Sequence, residues 1–348
     1  MSRLKSRSLV VVLAVAAVLA WLALQGMLAA GGALAGAADA AATFTTIFLG
    51  IFIEAAAFLL LGTLASGLVE VYIGYDLISR YVPRDPVRGV LMGALLGLFF
   101  PVCECGVVPL TRRLFHKGLP LPVGIAFLLA APVFNPIVIA STIAAFGVGR
   151  VLFLRLGLTL LIATVTGLVF AAERRPERLL RPSAWAPVAG ASGAPHRAAA
   201  LAEPGPLPRR DWRPDLGRAL TIAVDEFFEM GAFLVAGALL AALMQTLVPQ
   251  NALLALGAGP VISVITLIAL AVILSICSTV DAFIALSFAG TFTTGSLLAF
   301  LVFGPMVDIK STLMFLGVFR RRTVAYLILL PLLMNIVSAV FINLNTTW

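Results

Sequence analysis

Charge is what this chain most lacks. Only 11% of its 348 residues are Asp, Glu, Lys or Arg, against 61% hydrophobic. A soluble domain carries about 25% charged residues, so a water-soluble globule is excluded and the chain reads as an all-α integral membrane protein. Its length supplies roughly eight to ten apolar segments of about 20 residues. No Lys or Arg occurs from Ala219 to Ile309, and none follows Arg322. The net charge of +8 therefore sits in a few loops. That is a topology signal, not a nucleic-acid footprint. Cysteine is also scarce: three residues cannot build a disulfide framework. The two histidines, His116 and His196, are too isolated to form a metal site. No phosphate-binding loop, kinase, hydrolase or dinucleotide motif occurs. Transport driven by ATP within this chain and an enzyme function are thus unsupported, and no cofactor is expected.

The three cysteines fall in two places, each inside an apolar run. The first is Pro101-Val-Cys103-Glu104-Cys105-Gly106-Val-Val-Pro109, and the second is Ser275-Ile-Cys277-Ser278-Thr279-Val-Asp281. Thiols and carboxylates at membrane depth are costly and point to function. Pro101, Gly106 and Pro109 predict a broken helix at the first motif. Thiolates favour Zn²⁺, Cu(I) and other thiophilic centres, so Cys103, Cys105 and Cys277 are the candidate metal ligands. Cysteines at i and i+2 do not share a helix face, but on an unwound tip they can converge. The alternative is that they are small apolar packing residues.

The rest of the chain organises around these motifs. Residues 1–42 hold a basic N-terminus, a retained apolar helix and a neutral loop. Residues 43–171 form a first membrane repeat: helix A (44–70), segment B (89–111), segment D (119–146, interrupted at Ala131–Pro136) and segment E (151–171). Residues 172–218 carry nine Arg, five acids and eight of the twenty prolines, which reads as a solvated cytoplasmic linker. Residues 219–348 repeat the first half. Glu54, Phe58, Gly62 and Glu70 share their spacings with Glu229, Phe233, Gly237 and Gln245; Cys103 aligns with Cys277, Pro132 with Pro305 and Asn135 with Asp308.

If all four segments of each half cross, the halves are parallel. If segment B is a re-entrant hairpin, they are inverted. Placing the loops at 72–88 and 112–118, the linker and Arg320–Arg322 in the cytoplasm satisfies the positive-inside bias and favours inversion, with the cysteine motifs as hairpin tips meeting near the midplane. A re-entrant segment D also inverts the halves, but puts Arg112 and Arg113 outside. The N-terminus is expected in the cytoplasm and the chain in the inner membrane.

The tip and break residues Cys103, Glu104, Cys105, Gly106, Asn135, Cys277, Ser278, Thr279 and Asp308 are the candidate substrate-binding set. Asn135 and Asp308 serve equally well as helix caps after a break. Glu54, Glu229, Asp281 and Lys310 are the candidate proton-coupling or charge-relay groups. Lys310 must be neutralised, with Asp308, Asp281 or Glu229 as partners; a direct pair with Asp308 at i−2 is not expected on a helix.

The run Pro-Val-Cys-Glu-Cys-Gly-Val-Val-Pro-Leu-Thr-Arg-Arg, continuing through Lys117-Gly-Leu-Pro and Ala-Ala-Pro-Val-Phe-Asn-Pro, resembles the ArsP/YraQ-like predicted permeases over roughly residues 45–345. That resemblance implies an efflux permease. Studied members export trivalent organoarsenicals, and the family's thiol motif maps onto Cys103 and Cys105. The expected partners are membrane lipids and a small-molecule or ion substrate, with a second copy or a partner membrane subunit as the protein candidates.

Overall fold

The computed structural model describes residues 35–72, 82–83, 85–100, 102–173, 179–180, 216–247 and 259–345. The expected N-terminal helix, most of the Arg/Pro-rich linker and Pro101 lie outside these residues. Among them the chain is helical, and each half carries six helices in the same order. The first half holds α1 (Ala35–Tyr72), α2 (Pro86–Leu95, extended by a 3-10 turn at Leu96–Leu98), α3 (Glu104–His116), α4 (Leu121–Ala130), α5 (Pro136–Phe146) and α6 (Arg150–Ala171). The second holds α7 (Leu216–Leu247), α8 (Ile262–Leu274), α9 (Asp281–Phe288), α10 (Thr294–Met306), α11 (Ile309–Val318) and α12 (Arg321–Asn345). Among the described residues, five spans are long and apolar enough to cross a membrane: Ala41–Tyr72, Arg150–Ala171, Leu216–Leu247, Thr294–Val318 and Arg321–Asn345.

Local chemistry sets the short helices. Asp85 and Asn135 each precede a proline. Their side chains accept the backbone N–H two residues on, at 3.3 and 2.9 Å, while the proline occupies the first helical position. Asp308 caps α11 in a capping box with Ser311. Pro109, expected to help break segment B, instead lies within α3. There it removes the donor that would meet the Cys105 carbonyl.

Contacts fix the direction of each helix. Gly89 and Gly93 lie against Val123 near the start of α4, and Gly97 lies against Ala131 just past its end, so α2 and α4 run the same way. α3 runs back antiparallel to α4: Phe115 covers Gly124, and Asn135 Nδ2 donates to the Val102 carbonyl at 3.4 Å. Segment B is therefore a hairpin of α2 and α3, with its tip level with the break between α4 and α5. The second half repeats this arrangement. Ser263 meets Thr293 at 3.2 Å, Gly304 lies against Ala271, and Ile309 N–H donates to Ser275 Oγ at 3.3 Å. α8 thus parallels α10, and the α8–α9 tip sits at the break between α10 and α11.

α4 and α10 are almost wholly buried and form the middle of each half. α6 lies antiparallel along α4 and α5, with Gly167 against Pro122 and Arg155 against Thr142. α12 lies antiparallel along α10, with Asn335 Nδ2 donating to the Ala299 carbonyl at 3.0 Å. The long helices α1 and α7 pair antiparallel. The C-terminal part of α1 meets the N-terminal part of α7 through Ser66–Glu226 and Gly67–Ala219, while Phe48 packs on Ala238 and Ala242.

Candidate functional site

The two tips share one backbone construction. Cys103 is extended (φ −85°, ψ −179°) at the N-cap of α3 and has no side-chain capping bond. Its carbonyl accepts the N–H groups of Gly106 and Val107 at 3.1 and 2.9 Å. The Cys277 carbonyl likewise accepts those of Val280 and Asp281 at 3.1 and 3.2 Å. Cys103 Sγ makes no capping bond, whereas Cys277 Sγ accepts the backbone N–H of Thr279. Ser275, ahead of the second tip, is left-handed (φ 46°, ψ 43°), which costs a non-glycine residue about 1–3 kcal/mol. Its hydroxyl holds that turn by donating to the Val272 carbonyl at 3.0 Å and accepting Ile309 N–H.

These constructions bring three ligand atoms together. Cys103 Sγ, Cys277 Sγ and a Glu104 carboxylate oxygen lie within 4.8 Å of one another, all buried. Cys105, expected as a ligand, is buried against Cys103 and lies outside this group, whose third member is Glu104. Gly106 is a packing residue: its backbone lies against that of Gly62 on α1, so closely that a Cβ at Gly62 would overlap it. Ser278 is fully buried, and its hydroxyl has no hydrogen-bond partner. Thr279 bonds to Cys277, and half-buried Glu54 is within electrostatic reach of that thiol. Asn135 and Asp308 both act as helix caps at the breaks, in line with their alternative reading.

Lys310 corrects one expectation. Its ammonium lies 3.5 Å from Asp308 and 3.7 Å from Glu104, and all three side chains are at most 3% exposed. The i−2 objection fails because Asp308 is not on the helix but at its extended N-cap (φ −132°). The other two proposed partners are engaged elsewhere. Asp281 pairs with Arg155 at 2.5 Å, and Glu229 with Arg112 at 2.9 Å.

A second correction concerns Arg112, Arg113 and Lys117, read from sequence as part of a basic cytoplasmic loop. The first two lie on α3 and Lys117 caps it; all are at most 5% exposed. Arg113 reaches Glu70 and Glu226 at 3.6 Å each, and Lys117 reaches Glu70 at 3.3 Å. Ser66 donates to Glu226 at 2.5 Å. Three bases thus meet three acids where α1, α3 and α7 join. His116 is half-buried on the same helix end.

Sequence reasoning missed Arg155, which is buried between Asp281 and Thr142, the latter at 2.8 Å. The signal was present: a lone arginine one turn into an otherwise apolar span, facing an equally isolated Asp281.

Two thiols and a carboxylate from separate hairpins can hold a soft cation, or the two thiols alone can bind a trivalent arsenical. Residues 40–344 match the ArsP_1 family, described as a predicted permease. The chain is 44% identical over 286 residues to the UPF0718 protein YcgR of Bacillus subtilis (strain 168), covering 81% of this chain and 91% of that protein. It is 37% identical over 284 residues to a putative two-component membrane permease complex subunit of Streptococcus mutans serotype c, covering 79% and 87%. No solved structure matches.

Proposed function

The chain belongs to the predicted permease family, a multi-pass membrane protein, and from that premise we propose that it exports a small thiophilic solute, a trivalent organoarsenical or a soft metal ion. The observation that carries this reading is the approach of Cys103, Cys277 and Glu104 to within 4.8 Å. The two halves are inverted repeats, a reading supported by the antiparallel pairing of α1 with α7 and by the hairpin form of α2–α3 and α8–α9. The tips then enter from opposite faces and meet at the midplane, where irregular backbone survives only against protein or a polar cavity. The N-terminus and the linker lie in the cytoplasm.

Loading a metal requires deprotonated thiols, so it releases protons. That is the basis for proposing proton exchange as the coupling. Methylarsenite instead condenses with two thiols, forming two As–S bonds and releasing two waters, with arsenic remaining trivalent.

The test is binding by the purified protein. Methylarsenite, Zn²⁺ and Cu(I) are titrated separately against wild type and Cys103→Ser/Cys277→Ser. The expected result is thiol-dependent binding of at least one of them; equal binding by the double variant overturns the thiol site. A second reading, that this chain is one subunit of a two-component permease, is favoured by the description of the Streptococcus mutans relative. It predicts that transport in proteoliposomes needs a co-expressed partner.

A further inference from the structure

The two repeats place different chemistry at equivalent positions. Glu104 on the first tip corresponds to Ser278 on the second. Asp308 and Lys310 at the second break correspond to Asn135 and Ile137 at the first. Charge therefore gathers where the first tip also meets the second break. That junction carries two carboxylates and one ammonium, all buried.

The ammonium has two seats and a tight bond in neither. Its distances of 3.7 Å to Glu104 and 3.5 Å to Asp308 exceed the roughly 2.7–2.9 Å of a charge-assisted hydrogen bond. Glu104 Oε2 and Asp308 Oδ2 have no hydrogen-bond partner, while Asp308 Oδ1 is committed to the cap through Ser311 N–H at 2.6 Å. The Lys310 backbone is pinned against Gly237, where a Cβ would press on its Cα. Only the flexible four-carbon stem is left to move. Glu104 also stands beside Cys103 and Cys277, so a cation bound there would meet the Lys310 ammonium on the same carboxylate.

Resting on the thiol site proposed above, we infer that Lys310 is the protein's own cation for Glu104. It sits on Glu104 while the site is empty and withdraws to Asp308 when a cationic cargo takes that carboxylate. The exchange makes the site selective for charge. A soft cation must displace Lys310, whereas a neutral arsenical that uses only the thiols need not.

Zn²⁺ and methylarsenite binding to full-length purified variants tests this. Lys310→Gln should tighten Zn²⁺ about tenfold or more, since a like charge a few ångströms away is removed, and leave methylarsenite within about threefold. Asp308→Asn keeps the cap, as Asn135 does in the first half, but removes the second seat, so it should weaken Zn²⁺ about tenfold. The double variant restores the net charge without the competitor and should still bind Zn²⁺ more tightly than wild type. A double variant equal to wild type reduces Lys310 to bulk charge and overturns the exchange. So does weaker Zn²⁺ binding by Lys310→Gln, or equal shifts for both probes. Wild type binding neither probe overturns this inference, and if Cu(I) is not bound either, the thiol site itself falls with it. Should Lys310→Gln fail to fold, the Asp308→Asn result decides by its sign, with methylarsenite binding as the check that the site is intact.

Discussion

At Cys103 and Cys277 the backbone is nearly the same: each carbonyl accepts the N–H groups three and four residues on, and each tip touches the break of its own half. The surroundings are not the same. The first tip brings Glu104 and is covered by α1, with Gly62 against Gly106. The second brings Ser278, and its following helix is tied by Asp281 to Arg155 on α6. The equivalent glycines Gly62 and Gly237 also meet different partners, the first tip and Lys310. Two matching backbone frames are thus filled differently, and both long helices press on the α3–α11 side. The backbone is shared and the charge is not.

Several substitutions probe that contrast. The largest expected effect is on the shared feature: Cys103→Ser or Cys277→Ser should each bring thiophile transport in vesicles to background, whereas Cys105→Ser should retain most of it. Equal losses at all three would restore Cys105 to the ligand set. Next comes the tether specific to the second tip. Arg155→Ala strands a buried carboxylate and should cost about 3–5 kcal/mol, read as a drop in thermal stability in detergent. A charge swap, Arg155→Asp with Asp281→Arg, should recover part of it. On the first tip, Gly62→Ala forces a methyl into the Gly106 backbone and should cost about 1–3 kcal/mol. Gly231→Ala on α7, with open space around it, should leave stability unchanged or slightly raised. The smallest effect belongs to the exposed Arg88–Asp85 pair at 3.5 Å. Arg88→Ala should change stability by less than about 1 kcal/mol.

The plan of the fold was readable in the sequence because its markers are local. Pro and Asn at 131–136 stop one helix and cap the next, the glycines keep their spacing in both halves, and the cysteines recur at one offset. The membership of the site was less readable. Glu104 rather than Cys105 completes the sulfur cluster because Cys103, not its neighbour, is the extended cap residue, a choice of one φ/ψ pair that no spacing encodes. The basic run Arg112, Arg113 and Lys117 read as a loop because its partners Glu70, Glu226 and Glu229 are remote in sequence. Equal numbers of opposite charges were visible, but their pairing depends on how α1 and α7 cross. Arg155 and Asp281 lie 126 residues apart and are joined only by the packing of α9 against α5, beside which α6 carries Arg155.

The junction of α1, α3 and α7 also constrains the order of synthesis. Arg112 and Arg113 leave the ribosome well before Glu226 and Glu229, with 117 residues separating Arg112 from Glu229. At about 5–20 residues per second, the first hairpin waits roughly 6–23 seconds for the acids that neutralise it. Until then Arg112, Arg113 and Lys117 stand without the α7 carboxylates that meet this cluster in the folded chain, and burying such charges unpaired costs several kcal/mol each. Burial of the basic end of α3 is therefore favoured only once α7 has docked beside it. The two halves then assemble as one unit, late and together, and a chain cut in the linker should accumulate only when both pieces are made in the same cell.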